Sequence, residues 1–320
     1  MTLTNDRYIN LFTDFGFKKL FGEIPNKDLL IAFLNELLQG KEKIEDLSYL
    51  KNERLGNNEV ERRAVYDLYC TNEKGEKIII EIQRVKQEFF KDRSVYYSSF
   101  AIQDQAIKKG KDWRYEMAAV YTIAIMDFIF DSSEVSKFEH RIKLMDEQTC
   151  KVFYDKLTYL YLEIPKFKKE LSELSNDYER WLYAFKNLHR LHEMPKELEQ
   201  GVFKKLFELA EIAKMDAKER SVYEDSLKDY RDLKSAIDTY FNEGKIEGFN
   251  QGKTEGFSQG KTEGFNQGKT EGFNQGKIEG FNQGKIETAI NAIKKGFDND
   301  TIAELTSLTI NQIEQLRNNS

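Results

Sequence analysis

The chain has 320 residues, 40% of them hydrophobic and 13% aromatic, with three prolines; that is enough for one domain of ordinary size plus a smaller one, and too apolar for a disordered chain. Its net charge of −6 excludes bulk electrostatics as a source of nucleic-acid binding, so any such binding has to come from a local patch. No apolar run reaches the roughly 18 residues of a membrane span, and the opening MTLTNDRYINLF has neither a basic start nor an apolar core; no span and no export signal are expected, and the expected compartment is the cytoplasm.

In chain order, residues 11–38, LFTDFGFKKLFGEIPNKDLLIAFLNELL, carry apolar side chains at helical spacing and predict a helical pair, with Asn26 at the N-cap of the second helix. Residues 64–70 and 77–83 read as two strands joined by a turn that includes NEKGE and Gly75. A basic helix over roughly 85–109 follows, then EMAAVYTIAIMDFIF (116–130), a β-branched and apolar run suited to a strand buried on both faces. Residues 1–150 are therefore expected to form an α/β domain. Residues 151–243 read as helical throughout, with breaks at Pro165 and Pro195, and residues 288–320 as a small helix-turn-helix-like unit. Two cysteines and three scattered histidines build no zinc site, and Cys70, inside an apolar run, is expected to be a buried thiol.

Residues 244–287 repeat an octapeptide, G-K-[IT]-E-G-F-[NS]-Q, in five full copies with a sixth begun. Eight residues turn a helix through about 800°, so successive phenylalanines drift about 80° and no straight apolar seam forms. Glycine at every fourth position from 244 to 284 costs a helix about 0.8–1.0 kcal/mol each relative to alanine, and Glu247 and Lys253 are too far apart to pair. The expectation is a flexible or marginal spacer between folded parts; the rival is an assembly surface built on its phenylalanines.

The hairpin carries the chemistry. With the turn centred on Lys74, Asp67 falls opposite Glu81, Tyr69 opposite Ile79 and Val65 opposite Gln83, so one face holds Tyr66, Leu68, Cys70, Ile78, Ile80 and Ile82 and the other Asp67, Glu81 and Gln83. Two directly opposed carboxylates repel, and need compensation. A Mg²⁺ ion, which takes one or two carboxylates together with waters and phosphate, would provide it, with the Ile82 carbonyl as a further ligand. The alternatives are a merely solvated face or pairing with Arg62 or Arg63. Cations interleaved with aromatics in RVKQEFFKDR (84–93) and KKGKDWR (108–114) are either local nucleic-acid patches or ordinary solvated helix faces.

VYDLYC…GEKIIIEIQ resembles the Asp…Glu-x-Lys core of the PD-(D/E)XK nuclease superfamily. More narrowly, FTDFGFKKLFG, LLIAFLNELL, DLYC, IEIQ and DRSVYYSSF, in this order, resemble the Rpn group of recombination-promoting nucleases or putative transposases. The resemblance implies a mixed sheet flanked by helices and Mg²⁺- or Mn²⁺-dependent hydrolysis of DNA phosphodiesters by a metal-activated water. Asp67 and Glu81 would be the metal ligands. Gln83 stands where the superfamily most often has lysine; it brings hydrogen bonds but no charge. Cationic help for the phosphate would come from Arg93, Arg84 or Lys86, Arg93 being preferred although it equally suits a structural ion pair. Asp14 is either an outer carboxylate of the site or a helix cap. The competing function is a non-catalytic DNA- or protein-interaction module on a decayed nuclease fold, and strand joining is a third. The C-terminal unit would bind DNA or form a homodimer; with Arg317 its only arginine, assembly is favoured.

Overall fold

Thr13 starts the first helix. Its hydroxyl accepts from the Gly16 backbone N–H at 3.0 Å and donates to the Asn10 carbonyl at 2.7 Å, an N-cap that closes the turn tightly. A Cβ on Gly16 would lie 2.4 Å from the Asn10 carbonyl oxygen, so TDFGF is a backbone requirement as much as a motif. The chain is described here from a computed structural model covering residues 6–39, 43–54, 64–109, 114–130 and 133–319, and it divides into two units, Met1–Asp238 and Thr239–Ser320.

In the first unit, α1 (Asp14–Phe21) and α2 (Lys27–Leu38) form the expected helical pair. Asn26 takes the expected N-cap position of α2, but its side chain makes no capping hydrogen bond; it is buried, donates to the Lys19 carbonyl at 2.9 Å and ties the two helices together. The strands are β1 (Leu47–Tyr49), β2 (Glu53–Arg54), β3 (Ala64–Val65), β4 (Leu68–Asn72), β5 (Lys77–Gln83), β6 (Val120–Met126), β7 (Glu139–Met145) and β8 (Val152–Glu163). Six of them make one mixed sheet in the order β1-β4-β5-β6-β8-β7, with β5, β6 and β8 parallel to one another. Helix α3 (Phe90–Lys109) is the crossover from β5 to β6.

The β4–β5 register matches the expected one from Leu68↔Ile80 to Thr71↔Lys77, around a turn where Gly75 takes φ +79°, a value glycine reaches without a Cβ clash. Beyond Leu68 the ladder stops. Val65 pairs with Glu53 in a separate two-stranded ribbon instead of facing Gln83, and this break restarts the alternation. Tyr66 consequently joins Tyr69 and Ile79 on the face under α3, whereas Leu68, Cys70, Ile78, Ile80 and Ile82 face the main core. Cys70 is fully buried there, and burial pushes its thiol up to about 12.

Residues 152–163 are a strand, not the helix expected of an all-helical extension. Leu160 and Leu162 enter the main core while Tyr159 and Tyr161 pack against Phe90 of α3. A strand buried on both faces reads as a continuous apolar run, which periodicity alone does not separate from a buried helix. The boundary expected at 150 therefore falls between β7 and β8, two paired strands of one sheet. After β8 the chain does become helical, with α4 (Asp177–Asn187), α5 (Val202–Ala210) and the start of α6 (Ala217–Lys294). Trp181, Phe185, Phe203 and Leu206 close the main core against Phe21 and Phe33.

In the second unit the octapeptide repeat is helical along its whole length within α6, contrary to the expected flexible spacer. The unit places Gln four residues before Glu, and Gln251–Glu255, Gln259–Glu263, Gln267–Glu271 and Gln275–Glu279 are hydrogen-bonded at 2.7–3.3 Å. Each such pair contributes about 0.2–0.5 kcal/mol. The helix also continues from residues N-terminal to the repeat, so its nucleation cost is already met. The five phenylalanines lie between 65% and 76% exposed, consistent with the drift of an eight-residue period. Helices α7 (Asn299–Thr306) and α8 (Ile310–Asn318) fold over the end of α6 through Ala289, Ile302 and Ile313. Arg317 bonds Asn299 Oδ1 and the Phe297 carbonyl, holding α8 to the start of α7.

Candidate functional site

All seven residues of β5 are buried, so the polar groups at its end are held away from water. Glu81 and Gln83 are 9% and 5% exposed and point to the face covered by α3. Asp67 sits at the bend just before β4, where its Oδ2 accepts from the Ile82 backbone N–H at 2.6 Å. That bond crosses from one strand to the other and carries the carboxyl to the Glu81 position, continuing the expected pairing after the ladder itself has ended. Asn52 holds the same bend by donating to the Asp67 carbonyl at 2.9 Å.

A chain of contacts then runs out from Glu81. Gln83 Nε2 donates to Glu81 Oε2 at 3.3 Å, and Gln83 Oε1 accepts from Arg93 Nη2 at 2.5 Å. This amide orientation satisfies both neighbours, the NH₂ facing the anion and the oxygen the cation. A second nitrogen of Arg93 donates to Gln87 Oε1 at 2.5 Å. Arg93 belongs to the first turn of α3, so the crossover helix delivers the cation to the strand end.

The electrostatics are those of a crowded anionic site. Burial raises the Asp67 carboxyl above its usual range, the Ile82 hydrogen bond opposes this, and the charge of Asp14 adds to it. Burial first, and then the Asp67 charge, hold Glu81 well above the carboxylate range, with Arg93 pulling the other way. Lys18 lowers both carboxyls. It was not singled out from the sequence, although it stands four residues after Asp14 in TDFGFKK and pairs with it at 2.8 Å.

The expected residues divide accordingly. Asp67, Glu81, Gln83 and Arg93 are brought together; Arg84 acts on Asp67 through its charge, and Asp14 acts on Asp67 while bonded to Lys18. The N-cap of α1 is Thr13 and not Asp14. Lys86 is not drawn in: it is exposed, with its ammonium 3.5 Å from the Phe130 carbonyl. Arg62 and Arg63, and most of the 108–114 patch, lie outside the described residues.

Glu81 Oε1 is buried and has no hydrogen-bond partner among the described residues. An orphaned carboxyl oxygen beside a second raised carboxyl is what a divalent cation would satisfy. No cluster of three or more Asp, Glu, His or Cys is found among the described residues; two carboxylates alone would suit an ion that also takes waters and phosphate. No helix of the described residues is long and apolar enough to cross a membrane.

The family model described as PD-(D/E)XK nuclease family transposase matches residues 11–240, most of the chain and all of the sheet. No curated relative and no solved structure matches.

Proposed function

Because the chain belongs to the PD-(D/E)XK nuclease family transposases, we propose that it is a DNA endonuclease dependent on Mg²⁺ or Mn²⁺, with Asp67 and Glu81 as the cation's ligands. The observation that carries this is Glu81 Oε1, buried and without a hydrogen-bond partner among the described residues, beside the raised Asp67 carboxyl. When bound, the cation would neutralise the two carboxylates, polarise the scissile phosphate and acidify a water. The protein's own part is positional. Ile82 fixes Asp67, and Gln83 fixes Glu81 while its oxygen holds Arg93. Arg93 and Lys18, whose charges already act on the carboxyls, would supply positive charge for a phosphodiester in place of the lysine that Gln83 replaces. The C-terminal helices are proposed for assembly of a homodimer rather than for DNA contact, since Arg317 is engaged within its own unit.

Nicking of supercoiled plasmid DNA tests the assignment. Wild-type protein should nick with Mg²⁺ or Mn²⁺ and not with EDTA. Asp67→Ala and Glu81→Ala should each abolish nicking while retaining the circular dichroism of the wild type; full activity in both would exclude the site, and no activity in the wild type would favour an interaction module on a nuclease fold.

A further inference from the structure

Immediately beside this site α3 carries a groove that the reaction does not use. It has a volume of about 510 Å³ and is lined by Phe89, Arg93, Tyr96 and Tyr97 together with Glu88 and Asp92. The spacing 89, 93, 96 puts the ring, the guanidinium and the second ring on one face of the helix and its lead-in. Phe89 is 66% and Tyr96 42% exposed, unusual for large aromatics next to a polar site. Tyr96 stands edge-on to Phe100 at 4.9 Å, and Arg93 lies 5.7 Å from the centre of the Tyr97 ring. Arg93 is the shared wall: one nitrogen bonds Gln83 in the candidate site while the side chain lines the groove.

Resting on the nuclease reading above, we propose that this groove receives an unpaired nucleobase of the DNA strand being cut, adjacent to the scissile phosphate. Exposed aromatic faces with an arginine are the elements on which bases of single strands stack. The two acidic residues of the lining decide between the parts of a nucleotide. A phosphate would be repelled by Glu88 and Asp92, whereas the amino and imino donors of a base meet two carboxylate acceptors there. The volume falls in the roughly 300–1,000 Å³ range of small-molecule sites. In a duplex the base would still be stacked and paired, so the groove favours single-stranded, frayed or distorted DNA over intact duplex.

The test is binding of the full chain to fluorescein-labelled DNA 12-mers in EDTA, read by anisotropy without cleavage. The probes are a single strand, its blunt duplex, and a series carrying one abasic site moved along the strand. Stacking contributes about 1–3 kcal/mol per base, so Phe89→Ala/Tyr96→Ala should weaken single-strand binding on the order of 10- to 100-fold. Duplex affinity should change far less. In the wild type one abasic position should cause a comparable loss, and in the double variant none. Equal strand affinity in wild type and double variant, a flat abasic scan, or no measurable strand binding would each overturn the proposal. Plasmid nicking that depends on Asp67 and Glu81 together with a flat scan removes the groove alone; a position-dependent scan in a protein that never nicks removes the nuclease reading alone.

Discussion

Glu81→Gln should make the cation-free protein more stable at pH 7, although it alters the central residue of the candidate site. In the folded chain the Glu81 carboxyl is raised well above its usual range by burial and by the Asp67 charge; in the unfolded chain it titrates near about 4.3. A raised acid stabilises the fold fully only below the unfolded value, and that contribution is lost as pH rises through the folded value. The amide never ionises, so the variant should gain on the wild type from about pH 4.3 upward, by about 1.4 kcal/mol for each unit separating the two values. One unit corresponds to roughly 3–5 °C in Tm for a unit of this size. The new carboxamide keeps an acceptor for Gln83, and its NH₂ takes the place of Oε1, which has no partner among the described residues. Calorimetry in EDTA at pH 5, 7 and 8 should show the difference widening with pH. Added Mg²⁺ should then reverse the order, since a ligand at 100 times its Kd stabilises the folded state by about 2.7 kcal/mol and the variant has lost one of two ligands. A variant less stable than the wild type in EDTA at pH 8, with neither protein responding to Mg²⁺, would refute both the buried-charge and the cation arguments.

Arg93→Ala should slow plasmid nicking on the order of 10²-fold, as removal of a charge-stabilising donor does, and Arg93→Lys should restore only part because an ammonium lacks the fork that reaches Gln83 and Gln87 together; equal rates in all three proteins would remove Arg93 from the reaction. Gly16→Ala should destabilise the first unit by about 1–3 kcal/mol in urea denaturation, because its Cβ would meet the Asn10 carbonyl at 2.4 Å; an unchanged midpoint would contradict the close approach. Leu160→Ala should cost about 2–5 kcal/mol as a fully buried residue of β8, and a loss below about 0.5 kcal/mol would be inconsistent with a central strand. Gly260→Ala and Gly264→Ala, where a Cβ meets nothing within 4 Å, should each strengthen the repeat helix by about 0.8–1.0 kcal/mol, seen as slower amide hydrogen exchange across 256–268; faster exchange would mean that the segment is not helical in solution.

How much was legible in the sequence followed the range of the interactions involved. The β4–β5 register could be counted out because Gly75 marks the turn and every partner lies within a few residues of it. From that register alone Asp67 and Glu81 came to one place, even though the last paired rung is Leu68↔Ile80 and the final step is made by the Ile82 N–H. Tyr66 was misplaced by the same logic carried one step too far: alternation holds only while the ladder does. Strand β8 was missed because its pairing partners, β6 and β7, supply the evidence that it is a strand, and a run such as YLYLEI does not state whether its two faces meet a sheet's neighbours or a helix's. Lys18 and Arg93 act on the carboxylates only through the tertiary placement of α1 and of the first turn of α3. Nothing local encodes that, and Arg93 was reached through a family resemblance rather than through spacing.

Gln83 is where sequence and structure differ most in consequence. Taken alone, a glutamine in a lysine's position is a lost charge. In the fold it is a connector whose amide joins Glu81 to a guanidinium. Arginine stays protonated at any pH the protein tolerates, whereas a half-buried lysine would have its ionisation lowered by desolvation. On the proposed function, the charge that Arg93 brings in place of a lysine at position 83 is therefore constant across the working range, and the two carboxylates are both raised. Protons and a divalent cation compete for them. Activity should accordingly rise with pH as Glu81 ionises, with no later fall of the kind a lysine at position 83 would bring, and more cation should shift that rise to lower pH. An amide and an arginine in place of one lysine thus separate the supply of charge from the acid–base behaviour of the site.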